Sequence, residues 1–364
     1  MAQQVVQTVP QTVPQTVSLF QQYANRGLSG LGNIGNTCYL NSCMQLLSHC
    51  YELNNFLEKG EYKQKLNRVA DSIILLEWDK LRALLWSTNC TVAPYGFVKS
   101  VQKIAEIKKR DIFTGFSQND VQEFLLFIID CFHNSLSREV DMQINGQSQN
   151  ETDNLATVCY TMMKNMYKKE YSEILNIFYG IHVSEIISTS TNETLSASPE
   201  PFSVISLSIP SSTNVVSLFD CFDLYCEPEH LTHANGNAWY NDKTKQKENV
   251  LRKICFWSLP DVMIIDLKRW HGNSNARKAQ QLITAPLNNA NFSKYVKGYN
   301  SSSYVYDLFG VGNHSGGVLG GHYTASIKNA NGKWYAFNDT NVNEIKEEQI
   351  ITPQAYCLFY RKKK

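Results

Sequence analysis

The sequence predicts an α+β fold in which a helical half precedes a half made of strands. From residue 51 to residue 136, and again from 160 to 179, apolar residues recur every three or four positions, as on one face of a helix. From about residue 177 onward, apolar and polar residues alternate, as in a half-buried strand. Hydrophobic residues are 43% of the 364 residues, so the chain can bury a sizeable core.

Charge and composition argue against several classes of partner. The chain has 34 basic and 33 acidic residues and a net charge of +1, which points to neither nucleic acid nor a membrane surface. No apolar run is long enough to cross a bilayer, and residues 1–20 lack the basic and apolar regions of a secretory signal. We therefore expect an intracellular protein whose ten cysteines are reduced.

The chain begins with a repeat of the unit Gln-Thr-Val, which occurs three times in residues 1–17. Pro10 and Pro14 follow the first two copies, and proline at this spacing blocks both a helix and a central strand. We expect residues 1–27 to form a disordered or extended tail.

The stretch from Gly30 to Leu47 places a cysteine between a glycine-rich turn and a helix. Glycine and asparagine, which tolerate positive φ, crowd the residues before Cys38, whereas Leu40, Met44 and Leu47 after it share one helical face. Cys38 is therefore expected to begin a helix, where the partial positive charge of the N-terminus favours the thiolate, the nucleophilic form. The alternative is a small buried cysteine at a loop–helix junction.

Three more helices are predicted before residue 137. Their faces are marked by Ile73, Leu76, Lys80, Leu84 and Leu85, by Phe97, Val98, Val101 and Ile104, and by Val121, Phe124, Leu125, Ile128, Ile129 and Phe132. Ser117 or Asn119 is expected to cap the third helix. Near its start, Asp120 and Glu123 share one exposed patch, either as a binding site or only as acids that the helix dipole favours.

A polar segment, residues 137–158, is expected to be a surface insertion between these helices and the rest of the chain. A further helix is predicted at 160–179. Seven strands are then predicted, at 178–187, 202–210, 262–267, 304–311, 322–328, 333–337 and 355–360. The last three are expected to complete a C-terminal sheet.

A histidine and an amide near the C-terminus offer what a cysteine nucleophile needs. His322 leaves a glycine-rich turn and enters a strand, and Asn338 and Asp339 end the next strand. Adjacent antiparallel strands bring His322 beside one of these two side chains, which then orients the imidazole. His314, in a loop expected at 313–321, is the competing base, and a purely structural role for His322 is the alternative.

Four segments, in order, resemble the motifs of the ubiquitin-specific proteases. The residues around Cys38 resemble their Cys box, and the residues from Gly321-His322-Tyr323 to Asp339 resemble their His box. Gln118-Asn-Asp120-Val-Gln-Glu123-Phe-Leu resembles their Gln-Gln-Asp-Ala-x-Glu-Phe helix. Leu259-Pro-Asp-Val-Met-Ile-Ile-Asp-Leu-Lys-Arg-Trp270 resembles their Leu-Pro-x-Val-Leu-x-x-His-Leu-Lys-Arg-Phe strand. The resemblance covers the chain from about residue 28 to its end.

The resemblance implies a papain-like cysteine protease fold with a helical thumb, β fingers and a β-sheet palm. In this sequence these parts fall at about 28–175, 176–256 and 257–364. The implied activity is thiol-dependent hydrolysis of isopeptide or peptide bonds at the C-terminal glycine of ubiquitin. The implied partners are ubiquitin and ubiquitinated proteins, with a monomeric enzyme.

The resemblance also implies a role for each candidate residue. Cys38 is the nucleophile, and His322 is the base. Asn338 orients the imidazole, with Asp339 as the alternative, and the Asn33 side chain is an oxyanion donor. In the ubiquitin-specific proteases the position of Asp120 contacts the basic tail of ubiquitin, and that of Glu123 supports it.

The fingers of this family often hold zinc with two Cys-x-x-Cys pairs, and this sequence departs from that pattern. The matching positions fall near Ser188, Thr191, Tyr240 and Lys243, none of which offers a thiolate. The nearby cysteines, Cys221, Cys226 and Cys255, lack paired zinc spacing, so we expect no structural zinc and no cofactor. Asp266 replaces a family histidine that is not the catalytic one.

Two other functions stay open. One is a ubiquitin-binding pseudo-enzyme with the fold but no turnover, which predicts the loss of Cys38, His322 or Asn33, yet all three are present. The other is a papain-like protease that acts on a ubiquitin-like modifier. Such an enzyme need not keep the helix that carries Asp120 and Glu123.

Overall fold

The structure, a computed structural model, describes residues 20–211, 215–271, 277–317 and 320–364. Seven of its eight described α-helices precede residue 180, so the predicted order of a helical half before strands is confirmed. The helices are α1 (Cys38–Ser48), α2 (Tyr51–Glu58), α3 (Asp71–Ser87), α4 (Tyr95–Ile107), α5 (Val121–Leu136), α6 (Glu151–Glu170), α7 (Glu173–Phe178) and α8 (Leu218–Tyr225). None of them combines the length and apolar character that a membrane span requires.

Helix α1 lies at the centre of the molecule, and all eleven of its residues are buried. It packs against α5 on one side and against strands of the main sheet on another. Gly310 of that sheet allows the close approach, since a Cβ built there lies 2.6 Å from Cδ2 of Leu46. Helix α1 thus joins the two halves of the fold and carries Cys38 at its first position.

Helix α5 is capped by Asp120, so the prediction of Ser117 or Asn119 as the cap is wrong. The Asp120 carboxylate accepts hydrogen bonds from the backbone N–H groups of Gln122, at 2.7 Å, and Glu123, at 3.3 Å. An aspartate at this position satisfies N–H groups that lack a partner within the helix and interacts favourably with the helix dipole. The predicted apolar face of α5 is buried.

Twenty strands occur in the described ranges. They are β1 (Gly30–Leu31), β2 (Thr91–Val92), β3 (Gly180–Ser188), β4 (Thr194–Phe202), β5 (Val204–Ser208), β6 (Val216–Ser217), β7 (Glu229–Leu231), β8 (Trp239–Asn241), β9 (Gln246–Glu248), β10 (Val250–Ser258), β11 (Val262–Lys268), β12 (Trp270–His271), β13 (Arg277–Lys278), β14 (Ile283–Thr284), β15 (Ala290–Asn291), β16 (Val305–Gly317), β17 (Gly320–Lys328), β18 (Trp334–Asn338), β19 (Asn341–Ile345) and β20 (Ala355–Lys362). The larger sheet has the order β19-β18-β17-β16-β20-β11-β5, and β15 pairs with β16. A second sheet has the order β4-β3-β10-β7.

The larger sheet has an apolar core on each face, which explains why its central strands read as continuous hydrophobic runs. On β11, Val262 and Ile264 join the core shared with α1 and α5, while Met263 and Ile265 join the core shared with α8. Because successive side chains of a strand point to opposite faces, one strand serves both cores. The sheet is therefore fixed between two layers of helix and loop.

The predicted tail is too long at its C-terminal end. Tyr23 is buried, stacks on Tyr51 at a ring distance of 4.5 Å and lies in a 3₁₀ helix at Gln21–Tyr23. Tyr23 thus packs onto the helical half, and the backbones of Asn25 and Arg26 form hydrogen bonds with Asn329 of the sheet half. The remainder of the predicted tail, residues 1–19, lies outside the described residues.

The predicted surface insertion contains the start of a helix. Residues 137–150 lack helix, but α6 begins at Glu151, nine residues before the predicted helix. Asn150 caps it by accepting a hydrogen bond from the backbone N–H of Asp153. Asparagine and aspartate therefore marked a helix start in a segment whose polarity suggested a loop.

The second sheet includes β4, which the sequence did not predict. Its residues are polar and include Pro199 and Pro201, which argue against a central strand, but β4 lies at a sheet edge, where proline is tolerated. Helix α6 covers this sheet, and Leu155 and Cys159 pack with Val183 and Trp257. Among the described residues, no group of three or more His, Cys, Asp or Glu side chains is placed to hold a metal. The expected absence of zinc stays a prediction.

Candidate active site

Cys38 is the first residue of α1, directly after the N-cap Thr37, as predicted. Only 2% of its surface is exposed. Burial raises the pKa of the Cys38 thiol and the Asp339 carboxylate adds to this, whereas the backbone N–H groups of Tyr323 and Tyr39 lower it. The net pKa is raised because burial outweighs these N–H groups, so the thiolate that the position at the helix N-terminus predicts is not favoured.

Cys38 lies against β17, the strand that carries His322. The backbone N–H of Tyr323 faces the Cys38 thiol, and the Ser42 hydroxyl, one helical turn later, donates to the Thr324 carbonyl at 3.0 Å. Tyr323 directly follows His322 in the chain. The two distant ends of the sequence therefore meet in one cleft, as a cysteine–histidine pair requires.

The imidazole of His322 is held by Asn338. Its Nε2 atom lies 2.7 Å from the amide oxygen of Asn338. Strands β17 and β18 are antiparallel neighbours that pair Ala325 with Phe337, so strand alternation puts His322 and Asn338 on one face. Because an amide oxygen only accepts, Nε2 carries the hydrogen and Nδ1 is left as the basic nitrogen.

Asp339, the other candidate for orienting the imidazole, contacts the segment around Cys38 instead. Its carboxylate accepts hydrogen bonds from Nδ2 of Asn33, at 3.0 Å, and from Nδ2 of Asn41, at 2.8 Å. Its φ of +50° is left-handed, a conformation that aspartate tolerates. The chain turns there, which sends the Asn338 and Asp339 side chains to different partners.

Asn33 is fixed through both ends of its amide. The oxygen accepts hydrogen bonds from the backbone N–H groups of Gly35 and Thr37, both at 3.2 Å. The nitrogen uses one hydrogen for Asp339 and has a second to donate. Asn33 is exposed and precedes Cys38 by five residues, so this second hydrogen suits an anion that forms beside the thiol.

His314 does not compete with His322. It lies on β16, which continues to Gly317, and β17 begins at Gly320. The loop expected at 313–321 is therefore wrong for 313–317 and for 320–321, while residues 318 and 319 lie outside the described residues. His314 pairs with Tyr323 and Ser315 pairs with His322, which puts the two histidines on opposite faces of the sheet. Burial, helped by Lys278, lowers the pKa of His314 to about 4.

The predicted binding acids differ in their surroundings. One Asp120 oxygen caps α5, and the other accepts a hydrogen bond from the Tyr356 hydroxyl at 2.7 Å. Glu123 is exposed, and none of the ion pairs between described residues involves its carboxylate. Glu123 is thus the more available acid for a basic ligand, and Asp120 is the more rigid one.

Sequence reasoning missed two buried groups behind this patch. Tyr356 belongs to an apolar run in β20, and nothing in that run marked it. Asp266 is marked in the sequence only as the replacement of a family histidine. It is 2% exposed, and burial, reinforced by Asp120, raises its pKa to about 7. The position of Asp266 within a run of apolar strand residues is the sequence signal that could have identified it as a buried acid.

Comparisons with known proteins agree on one family. A family model described as ubiquitin carboxyl-terminal hydrolase matches residues 29–360. Ubiquitin carboxyl-terminal hydrolase Usp2 of Drosophila melanogaster is 32% identical over 346 residues, 93% of this chain and 35% of the relative. Ubiquitin carboxyl-terminal hydrolase 2 of Homo sapiens is 30% identical over 344 residues, 92% of this chain and 55% of the relative. The chain thus spans about half or less of the length of these curated relatives.

A solved structure gives the same fold. The SAGA Ubp8/Sgf11/Sus1/Sgf73 DUB module bound to ubiquitin aldehyde contains a chain that superposes with a TM-score of 0.72 at 24% identity. The match covers 94% of the chain described here and 71% of that chain. The α+β, papain-like architecture predicted from the sequence is confirmed by this likeness together with the order of helices and sheet.

Proposed function

Because the chain belongs to the ubiquitin carboxyl-terminal hydrolase family, we propose that it is a cysteine-type deubiquitinase. Its substrate is an isopeptide or peptide bond at the C-terminal glycine of ubiquitin. The observation that carries the proposal is the meeting of Cys38, the His322–Asn338 pair and Asn33 in one cleft. Nucleophile, oriented base and oxyanion donor are the parts that acyl transfer requires.

The first half of the reaction makes a thioester. The Cys38 sulfur attacks the glycine carbonyl carbon while its proton passes to Nδ1 of His322. The raised pKa of Cys38 means that the thiol stays protonated until this base removes the proton. The oxyanion accepts hydrogen bonds from the Cys38 backbone N–H and from the second Nδ2 hydrogen of Asn33. The C–N bond then breaks, and His322 returns the proton to the leaving lysine amine.

The second half releases ubiquitin. His322 takes a proton from water, the resulting hydroxide attacks the thioester carbon, and the C–S bond breaks. The Cys38 sulfur leaves as the thiolate and regains the proton from His322. Asn338 keeps the imidazole in one orientation through both halves, because its amide oxygen holds Nε2–H throughout.

Recognition of ubiquitin is assigned to the acidic patch at the start of α5. Glu123 is exposed, and Asp120 is held rigidly by its own helix and by Tyr356. Two acids so placed suit a basic, extended tail. The ubiquitin aldehyde in the structural neighbour supports ubiquitin as the substrate.

The proposed division into thumb, fingers and palm follows the change of elements. Helix α7 ends at Phe178 and β3 begins at Gly180, which supports a boundary near 175. Strand β10 ends at Ser258 and β11 begins at Val262, which supports a boundary near 256.

We further propose an intracellular monomer that binds no nucleic acid. The ten unpaired cysteines support the intracellular location, and the net charge of +1 argues against nucleic acid as a partner.

The test is covalent labelling with a ubiquitin that carries a C-terminal propargyl group. We expect the native chain to be labelled and Cys38→Ala to stay unlabelled. Ubiquitin binding without labelling supports the pseudo-enzyme instead. Labelling only by the propargyl form of a related modifier supports a protease for that modifier. The absence of both labelling by any of these probes and binding of ubiquitin would contradict all three functions.

A further inference from the structure

Gln118 joins the two halves of the fold across the cleft. Its side-chain oxygen accepts a hydrogen bond from the backbone N–H of Gly321 at 2.7 Å, and its side-chain nitrogen donates to the Gly321 carbonyl at 2.7 Å. Gln118 lies in the segment between α4 and α5, whereas Gly321 lies on β17, next to His322. This pair of hydrogen bonds, here called the clasp, therefore links the helical half to the sheet.

The clasp lies on the same strand edge as the nucleophile. Alternate residues of an antiparallel strand direct their N–H and C=O groups to the same edge. The Tyr323 N–H faces the Cys38 thiol, and Gly321, two residues earlier, faces Gln118. Two residues of strand span about 7 Å, so the clasp lies close beside the reacting atoms. Cys38 is only 2% exposed in this arrangement.

The position of the clasp beside Cys38 bears on how a substrate reaches the thiol. In a protein conjugate, the diglycine is joined to folded ubiquitin on one side and to a target protein on the other. If the diglycine reaches Cys38 by passing between Gln118 and Gly321, neither end can enter while these two hydrogen bonds hold. A ubiquitin whose C-terminus carries only a small group has one narrow end, which can be threaded beneath the clasp.

We propose that Gln118 is a gate residue that admits protein conjugates to Cys38 only when its two hydrogen bonds to Gly321 break. This inference rests on the proposed deubiquitinase function. The hydrogen bonds are exposed and uncharged, so breaking both costs little free energy in the free enzyme. The closed state lowers the apparent rate constant for conjugates by roughly 5- to 100-fold, the reciprocal of the fraction of open molecules.

The test compares two substrates in each variant. One is ubiquitin with a C-terminal aminocoumarin, which has a small leaving group, and the other is lysine-linked diubiquitin. We expect Gln118→Ala to raise the ratio of kcat/KM for diubiquitin over the small substrate by roughly 5- to 100-fold. Gln118→Glu keeps the acceptor for the Gly321 N–H but loses the donor, so its ratio should lie between those of the native chain and Gln118→Ala.

Gln102→Ala is the matched control. The Gln102 amide also donates to a backbone carbonyl of the same segment, that of Gly115 at 3.2 Å, but it does not cross the cleft. In Gln102→Ala the ratio of kcat/KM for diubiquitin over the small substrate should equal that of the native chain. Gln118→Met, which keeps the bulk without the hydrogen bonds, replaces Gln118→Ala if that variant does not fold.

The outcomes separate the gate from other roles. Equal losses of kcat/KM on both substrates would make Gln118 a structural residue that positions His322. A lower ratio would mean that the clasp binds the conjugate. Either result overturns the gate.

Cleavage of neither substrate by the native chain would contradict the proposed function. The gate is then judged by alkylation of Cys38 with a bulky maleimide, read by mass spectrometry, which should be faster in Gln118→Ala. An unchanged alkylation rate overturns it.

Discussion

At the scale of single residues, the amide of Asn33 is useful to an oxyanion only while its orientation is kept. Asp339 holds one of its Nδ2 hydrogens at 3.0 Å and so directs the other. We predict that Asn33→Ala lowers kcat by about 10²- to 10³-fold and that Asp339→Ala lowers it less. In the double variant the losses should not multiply, because the carboxylate acts through the amide.

Steady-state kinetics on a fluorogenic ubiquitin substrate would complete this double-mutant cycle. Asn41→Ala is the control, since it removes the other partner of the Asp339 carboxylate, together with the Asn41 hydrogen bonds to the Leu31 and Gly32 carbonyls, but leaves Asn33 in place. Losses that multiply in the Asn33→Ala, Asp339→Ala variant would give Asp339 a role that is independent of Asn33.

Asp266 makes stability depend on pH. It is buried near Asp120, Ser206 and Tyr356, and its pKa rises from 3.8 to about 7. Between these values the folded protein keeps a proton that the unfolded chain releases, so the free energy of unfolding falls as pH rises. A rise of this size in the pKa corresponds to a loss of on the order of 4 kcal/mol in the free energy of unfolding by pH 7.

We predict that Asp266→Asn becomes steadily more stable, relative to the native chain, from about pH 4 to about pH 7. The asparagine has no proton to lose, so it lacks this contribution. Urea unfolding at a series of pH values measures the difference. Asp261→Asn, at a surface aspartate, is the control. A difference that stays constant over this range would show that the pKa of Asp266 is near its ordinary value.

At the scale of elements, the packing of α1 on β16 depends on a missing side chain. A Cβ at Gly310 lies 2.6 Å from Cδ2 of Leu46 and 3.3 Å from Cβ of Phe359, and both side chains are fully buried. We predict that Gly310→Ala lowers the free energy of unfolding by about 1–3 kcal/mol, since no neighbour can move away freely. At Gly312 the nearest atoms lie at 3.4 and 3.5 Å, so Gly312→Ala should cost less. Equal unfolding free energies in urea would contradict the close approach.

The elements that the sequence predicts correctly are those with a long and clear apolar pattern. Helix α5 and strand β11 have apolar patterns that match their cores, and both form as expected. The N-cap of α5 and strand β4 were missed because their signals depend on position. The sequence predicts Asp120 as a binding acid or as an acid that the helix dipole favours, and not as the cap, although capping uses the same carboxylate. The prolines of β4 exclude a central strand but not an edge strand.

At the scale of the whole molecule, motifs located the candidate site, and packing determined its properties. The order of Cys38, His322 and Asn338 in the sequence indicates a cysteine hydrolase. The raised pKa of Cys38 follows from burial by both halves of the fold, which no local pattern encodes. The Gln118–Gly321 clasp joins residues 203 positions apart, so its partner could not be inferred from the motif that contains Gln118.

The second sheet offers a test of how the whole fold is held together. It is covered by α6, and Trp257 packs its ring edge-to-face with those of Tyr160 and Tyr299, at 5.6 and 5.4 Å. Apolar packing needs no metal, so we predict that a strong chelator leaves the melting temperature unchanged. Trp257→Ala should instead lower the unfolding free energy by about 3–5 kcal/mol, because it removes a buried indole. Differential scanning calorimetry of both proteins, with and without chelator, makes the comparison. A large drop with chelator in the native chain would mean that a metal, and not this aromatic cluster, holds the sheet.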